Sequence, residues 1–279
     1  MLRTLAALAR STHPGPTLAV TIVALGIGLG VGLDPLRLLF LGLAVLANQA
    51  SVGLSNDWID AERDRSVGRT DKPVAAGLVG RRVAGATSVG LVVVALLLTL
   101  PLGPAATAVH ALFIGSAWAY NAGLKNSIVS VLPYIVSFGV LPLVVTLSLP
   151  DPALAAWWAL GAGALLGVSA HFANVLPDLE ADRATGIRGL PHRFSRRAAG
   201  LVIAVALVAA SALVVFAPER PVTLPFGLGF VLTIAFALQS VRLTTTGQPT
   251  RAVFQFIIAA ALLNVVLLVL NGSTVALAT

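Results

Sequence analysis

The sequence predicts an all-α integral membrane protein: nine transmembrane helices in a bundle, with the N-terminus cytoplasmic. Composition is the first ground. Of 279 residues, 57% are hydrophobic and 10% charged, where an ordinary soluble domain carries about 25% charged residues. Segment length is the second. Crossing the hydrocarbon takes roughly 20 mainly apolar residues, and nine stretches qualify, near residues 17–33, 36–55, 82–100, 102–122, 128–149, 153–176, 198–217, 222–241 and 252–270. They are too long, and alternate too little, for the strands of a membrane barrel.

Charge placement is the third ground. With nine spans, Arg3, Arg10, Lys125, Arg242, Arg251 and every basic residue of 63–82 and 183–197 fall on one side, and Arg37 and Arg220 on the other. That is the positive-inside asymmetry, which puts the N-terminus and the loops after even-numbered helices in the cytoplasm. The formal charge of +7 is therefore a topology signal, and nucleic acid is not an expected partner. The absence of cysteine excludes disulfides and thiolate metal sites. No linker sets off a soluble domain, so residues 1–279 read as a single polytopic domain in the cell membrane.

Taken in order, residues 1–16 are a basic, proline-containing segment expected to lie along the interface and to end with His13 near the cytoplasmic mouth. The first apolar stretch reads as a mature helix, not a cleaved leader. The second carries Asn48 and Gln49 at a depth where polar groups face the bundle interior. Pro101-Leu102-Gly103-Pro104 turns the third into the fourth. In the fourth, His110 reads as an interhelical hydrogen-bonding group, and Tyr120 and Lys125 follow at its cytoplasmic end. Pro133 and Pro142 predict a kink in the fifth. Trp157 and Trp158 open the sixth as interface anchors, and His171 near its end reads as a satisfied interior histidine.

The stretch from Asn56 to Gly77 breaks this apolar pattern, with five carboxylates (Asp57, Asp60, Glu62, Asp64, Asp71) and four cations (Arg63, Arg65, Arg69, Lys72). On a helix, Asn56, Asp60 and Asp64 stack one turn apart, with Asp57 at the edge of that face. Stacked carboxylates repel and call for a cation. The pattern recurs: Asn56-x-x-x-Asp60-x-x-x-Asp64-Arg65-x-x-Gly68 matches Asn174-x-x-x-Asp178-x-x-x-Asp182-Arg183-x-x-Gly186. The two loops, 56–80 and 174–196, hold eight of the eleven acidic residues, and ligand sites of duplicated membrane folds lie between the repeats. Oxygen donors without Cys or His at ligand spacing suit Mg²⁺, which completes its shell with water and phosphate oxygens. Arg65, Arg69, Lys72, Lys125, Arg183, Arg188 and Arg193 stand ready for the remaining phosphate charge. The implied chemistry is metal-assisted handling of a phosphorylated, lipid-soluble molecule.

These residues resemble the UbiA superfamily of intramembrane prenyltransferases. Asn56-Asp57-x-x-Asp60-x-x-x-Asp64 and Asp178-x-x-x-Asp182 resemble its two aspartate-rich motifs, and Arg69-x-x-Lys72-Pro73-x-x-x-Gly77 its basic stretch, with Lys72 where arginine is frequent. Tyr120 and Lys125 resemble its tyrosine–lysine pair at a spacing one residue longer. The resemblance implies a nine-helix bundle around a central cavity open to lipid, in which two Mg²⁺ ions hold an isoprenyl diphosphate. It implies catalytic and metal roles for Asp57, Asp60, Asp64, Asp178 and Asp182. Diphosphate binding falls to Asn56, Arg65, Lys72, Tyr120, Lys125, Asn174, Arg183 and Arg188. The C–O bond would ionise and the prenyl group pass to a small acceptor, an aromatic ring first among candidates. A cyclase that closes the prenyl chain on itself would use the same motifs. A transporter is disfavoured, because the polar groups gather on one membrane side without a charged path across. Glu62 and Glu180 fall off the shared face, and Arg188, His192 and Arg193 sit on a loop able to cover the site.

Overall fold

The computed structural model describes residues 2–179, 182, 186–246, 251–270 and 272–277. The amphipathic α1 (Leu2–Ser11) meets α2 (Pro14–Gly30) at a 59° bend. Pro14 disfavours right-handed helix at the residue before it, and His13 takes a left-handed conformation, φ 53° and ψ 65°. Asp34 then starts α3 (Pro35–Ile59) by accepting the backbone N–H groups of Leu36 and Arg37, both at 3.0 Å, a cap that serves two otherwise orphaned donors.

A short α4 (Ala61–Ser66) continues from α3 and leads through the loop to α5 (Arg81–Thr99). Gly103, at φ 122°, turns α5 into α6 (Pro104–Ala122), an arrangement with proline just inside the helix start. Then come α7 (Leu132–Thr146), with Pro142 in its interior, and α8 (Trp157–Val175). The last three are α9 (Arg196–Phe216), α10 (Leu224–Thr246) and α11 (Arg251–Val269).

Among the described residues, nine helices of 15 residues or more occupy the nine apolar stretches. By length and composition six helices can cross a membrane, α1 and α2 together make a bent seventh, and α7 is apolar but short. The main contacts run α2–α3, α3–α5, then α6 through α11 in succession, and α11 returns to α2, closing a ring. Outward faces carry exposed Leu97, Leu112, Val205 and Leu238, and the helical backbone satisfies itself, as lipid requires.

Inside the ring, Leu41, Val45, Phe113, Leu141, Val144, Trp158 and Val214 form the largest apolar cluster. Beside it a cavity of about 30 Å³, lined by residues such as Ile27, Phe138, Ala162, Leu166 and Asn264, lies between α2, α7, α8, α9 and α11. One set of polar groups inside the bundle forms a chain. Asn48 Nδ2 donates to His110 Nε2 at 3.1 Å, and His110 Nδ1 meets Thr99 Oγ1 at 2.7 Å. Thr99 passes its own proton to the Ala95 carbonyl, so a neutral His110 tautomer completes the chain, as the sequence anticipates for an interhelical group.

Helix α7 packs closely on α8. A Cβ at Gly163 would lie 2.2 Å from the Phe138 carbonyl oxygen, and one at Gly167 would lie 2.4 Å from that of Tyr134. Two glycines one turn apart thus let the α7 backbone seat directly on α8. Replacing Gly167 with Val forces the pair apart at about 1–3 kcal/mol, the usual cost of overpacking. The expected result is a lower thermal unfolding midpoint in detergent, with Gly115→Val, which meets open space, as the unaffected control.

Candidate active site

The two copies of the sequence repeat end in the same backbone device. Gly68 and Gly186 have φ of 70° and 81°. The N–H of Arg69 reaches the Asp64 carbonyl at 2.9 Å, and that of Ile187 reaches the Asp182 carbonyl at 2.9 Å. These are matching left-handed helix ends of the kind that favours glycine. In the first copy the stack is bent: α3 stops at Ile59 and Asp60 has φ −83°, ψ −1°. The register survives, because Asp60 N–H still reaches Asn56 O at 3.0 Å and Asp64 N–H reaches Asp60 O at 2.8 Å.

Asp57, Asp60 and Asp64 are buried, with 2%, 6% and 2% of their surface exposed, so their charge has to be met locally. Three cations meet it. Lys125 Nζ binds both oxygens of Asp60, at 2.5 and 2.6 Å. Arg63 reaches Asp60 at 3.0 Å and Asp64 at 3.3 Å. Lys72 lies 2.9 Å from Asp64, 3.4 Å from Asp57 and 3.0 Å from Asn56 Oδ1. His13 Nε2 adds a contact to Asp57 Oδ1 at 3.1 Å. Burial draws the Lys125 ammonium below its usual range, and Asp60 opposes that shift. Breaking such a pair by removing one partner costs about 3–5 kcal/mol.

The second copy is more open. Asp178, its side chain 46% exposed, lies 3.7 Å from Arg69. Arg69 also forks onto Asp71 at 2.9 and 3.0 Å, and these bonds hold the Asp71 carboxyl below the usual carboxylate range. Asp182 meets His192 at 3.2 Å. Arg69 therefore ties the first motif loop to the second.

A second tie is made by backbone. The Leu190 N–H donates to Ser130 Oγ at 2.9 Å, and Ser130 meets His171 Nε2 at 3.0 Å. A Cβ at Gly189 would stand 2.4 Å from the Lys125 carbonyl oxygen. The loop after the second motif is thus seated on the segment that delivers Lys125 to Asp60. Below lies an aromatic wall. Tyr134 packs against Tyr120, His171 and Phe138 with centroids 5.2, 4.8 and 6.1 Å apart. Asn174 donates to the Tyr134 hydroxyl at 3.3 Å.

Of the residues singled out in the sequence, Asn56, Asp57, Asp60, Asp64, Lys72 and Lys125 form one cluster. Asp178 and Asp182 lie across from it, joined through Arg69, and Tyr120 and Asn174 sit at the aromatic wall. Arg65 is not drawn in: it is exposed, and its Nε donates to the Ala75 carbonyl at 3.4 Å. Arg188 is exposed on the covering loop. Arg183 and Glu180 lie outside the described residues. Glu62, off the shared face, pairs with Arg81. Spacing alone missed Arg63, Ser130, Tyr134 and the His13 contact. Arg63, three residues from Asp60 on a helix, and His13, expected near the cytoplasmic mouth, carried readable clues.

The donor set fits Mg²⁺. It consists of carboxylate and amide oxygens, the ligands of a hard cation. Asp64 Oδ2 is buried without a hydrogen bond, because the Lys72 ammonium 2.9 Å away is out of line for one. Among the described residues no three His, Cys, Asp or Glu side chains converge as a closed metal cage. That arrangement suits an ion that takes one or two carboxylates and fills its shell with water and phosphate oxygens.

Fold and site together define a helical membrane bundle with a duplicated carboxylate motif gathered at one end. The model of the UbiA prenyltransferase family matches residues 17–266. The chain belongs to that family, whose members are prenyltransferases. Similar solved structures include a UbiA homologue from Archaeoglobus fulgidus bound to GPP and Mg²⁺, with a TM-score of 0.72 and 14% identity over 96% of this chain and 100% of that one. A UbiA homologue from Aeropyrum pernix K1 in its apo form gives 0.73 and 17%, over 91% and 97%. A digeranylgeranylglyceryl phosphate synthase gives 0.67 and 15%, over 98% and 99%. At these identities the likeness is one of fold. A search of the curated proteins returns no match.

Substituting Ser130 with Ala leaves the partly buried Leu190 N–H without its acceptor, a loss of about 1 kcal/mol confined to the covering loop. Hydrogen exchange at residues 186–193 is expected to accelerate several-fold, with exchange in α3 and α8 unchanged. Equal protection in variant and wild type would refute the latch.

Proposed function

We propose that this chain is a Mg²⁺-dependent intramembrane prenyltransferase that ionises an isoprenyl diphosphate and passes the prenyl group to a small, aromatic acceptor. It would sit in the cell membrane with nine spans, its N-terminus and both motif loops cytoplasmic, as the placement of lysine and arginine favours. The observation that carries the reading is the duplicated Asn–Asp register whose two copies meet through Arg69 over an aromatic wall. The solved A. fulgidus homologue, bound to GPP and Mg²⁺, supports the same use of a like fold.

In this reading one ion draws one or two carboxylates from Asp57, Asp60 and Asp64, a second draws on Asp178 and Asp182, and Asn56 and Asn174 orient ligands at each. Bound there, Mg²⁺ supplies charge stabilisation for the departing diphosphate. Lys72, Lys125 and Arg69 already lie among the carboxylates and take diphosphate oxygens as the negative charge arrives. Arg188, on the covering loop, comes down on the same group. Leu190, held by Ser130, keeps that loop seated and water out of the interior. Tyr120 and Tyr134 present ring edges and faces below, where an allylic cation is stabilised by aromatic quadrupoles.

The test is pyrophosphate release from a prenyl diphosphate by the protein in nanodiscs, with and without Mg²⁺ and with a panel of aromatic acids. Release that needs both metal and acceptor is expected. Cyclic hydrocarbon or terpene alcohol formed without acceptor would instead make the chain a cyclase. Asp60→Asn and Asp178→Asn should each lower turnover by about 10²–10³, the scale of losing one group that stabilises developing charge. Asn is chosen at position 60 because Ala would strand buried Lys125. Near-normal turnover in both would refute the metal assignment.

A further inference from the structure

Outside the aspartate motifs, one residue reaches the site by an unusual route. His13 is the only non-glycine residue with positive φ among those described, and it stands between the interfacial α1 and α2. Glycine would take this conformation without strain. A strained backbone persists where the surrounding structure holds it and often marks function. The bend is held against α3 by a close fit: a Cβ at Gly53 would lie 2.5 Å from the Thr12 carbonyl oxygen. Thr17 Oγ1 donates to that same carbonyl at 2.6 Å.

Asp57 follows Gly53 by one turn, so the two share a face of α3. Gly53 receives the Thr12 backbone, and Asp57 receives the His13 side chain, 3.1 Å from Nε2 to Oδ1. Lys72 approaches the same oxygen at 3.4 Å. The Asp57 side chain is 1% exposed, whereas His13 is 43% exposed. The imidazole therefore gains little burial from this position; the polar contact is what the strained backbone secures.

We propose that His13 is a positioning residue that orients Asp57 for the divalent cation, linking the interfacial helix to the metal site. The inference rests on the metal role of Asp57 given above. His13 Nε2–H donates to Oδ1 and fixes the carboxylate's rotation, and hence the direction in which Oδ2 faces. Groups behind a metal ligand of this kind typically change metal affinity by about 10–100-fold when removed.

The experiment is Mn²⁺ binding, read by electron paramagnetic resonance, to the full-length protein in nanodiscs with inorganic pyrophosphate present. His13→Gly keeps the left-handed turn and removes the side chain. It is expected to raise the Mn²⁺ dissociation constant about tenfold, with an unchanged thermal midpoint and kcat regained at saturating Mg²⁺. His13→Gln, whose Nε2 reaches as far as the imidazole's, should restore the affinity, and His13→Asn, which tolerates the turn but falls short, should not. Wild-type affinity in His13→Gly, or equal behaviour of the Gln and Asn variants, overturns the role of His13 while leaving the site reading intact. If the wild type itself binds no Mn²⁺ with pyrophosphate, both fall.

Discussion

Burying three carboxylates at the end of a membrane helix obliges the rest of the chain to supply charge to them, and much of the architecture answers that demand. Asp57, Asp60 and Asp64 have almost no contact with solvent, and an uncompensated charge in such a place is costly. Arg63 comes from the same turn, Lys72 from the following loop, Lys125 from the end of another helix, and His13 from the N-terminal bend. Three separate segments are thereby fastened to α3. With Arg63, Lys72 and Lys125 set against three aspartates, the cluster is close to neutral, which allows it to lie at the edge of an apolar bundle.

Neutrality also bears on chemistry. On the proposed reading, a divalent cation arriving alone would meet carboxylates already engaged by protein cations, and a diphosphate arriving alone would meet carboxylates. Each ligand would then improve the site for the other, with phosphate oxygens drawing on the lysines as the metal draws on the aspartates. The link from Arg69 to Asp178 and the seat of Gly189 against Lys125 extend this coupling to the second motif.

The helical class and the two aspartate motifs were legible because they are local. Apolar length reads directly as helix, and the repeat marked the paired glycines, Gly68 and Gly186, whose positive φ only the structure supplies. Partnerships were less legible. Spacing placed Arg65 beside Asp64, yet Arg65 turns to a loop carbonyl, and Arg63, its neighbour but one, makes the ion pairs. The break at Asp60 left no mark in the sequence, since Asp60 keeps both of its flanking helical hydrogen bonds. Contacts across long sequence separations, such as Ser130 with Leu190 and His171, depend on how the helices pack, which local pattern does not encode.

The closure of the ring by α11 against α2 sets an order of assembly. Chains emerge from the ribosome N-terminus first, so both aspartate motifs and the residues of the aromatic wall are made before the helix that closes the ring. Until α11 arrives, the face of α2 around Gly26 and Gly30 lacks the Val265 and Val269 neighbours that cover it in the finished bundle. The ring is therefore closed by α11, a step that belongs to membrane insertion and not to catalysis.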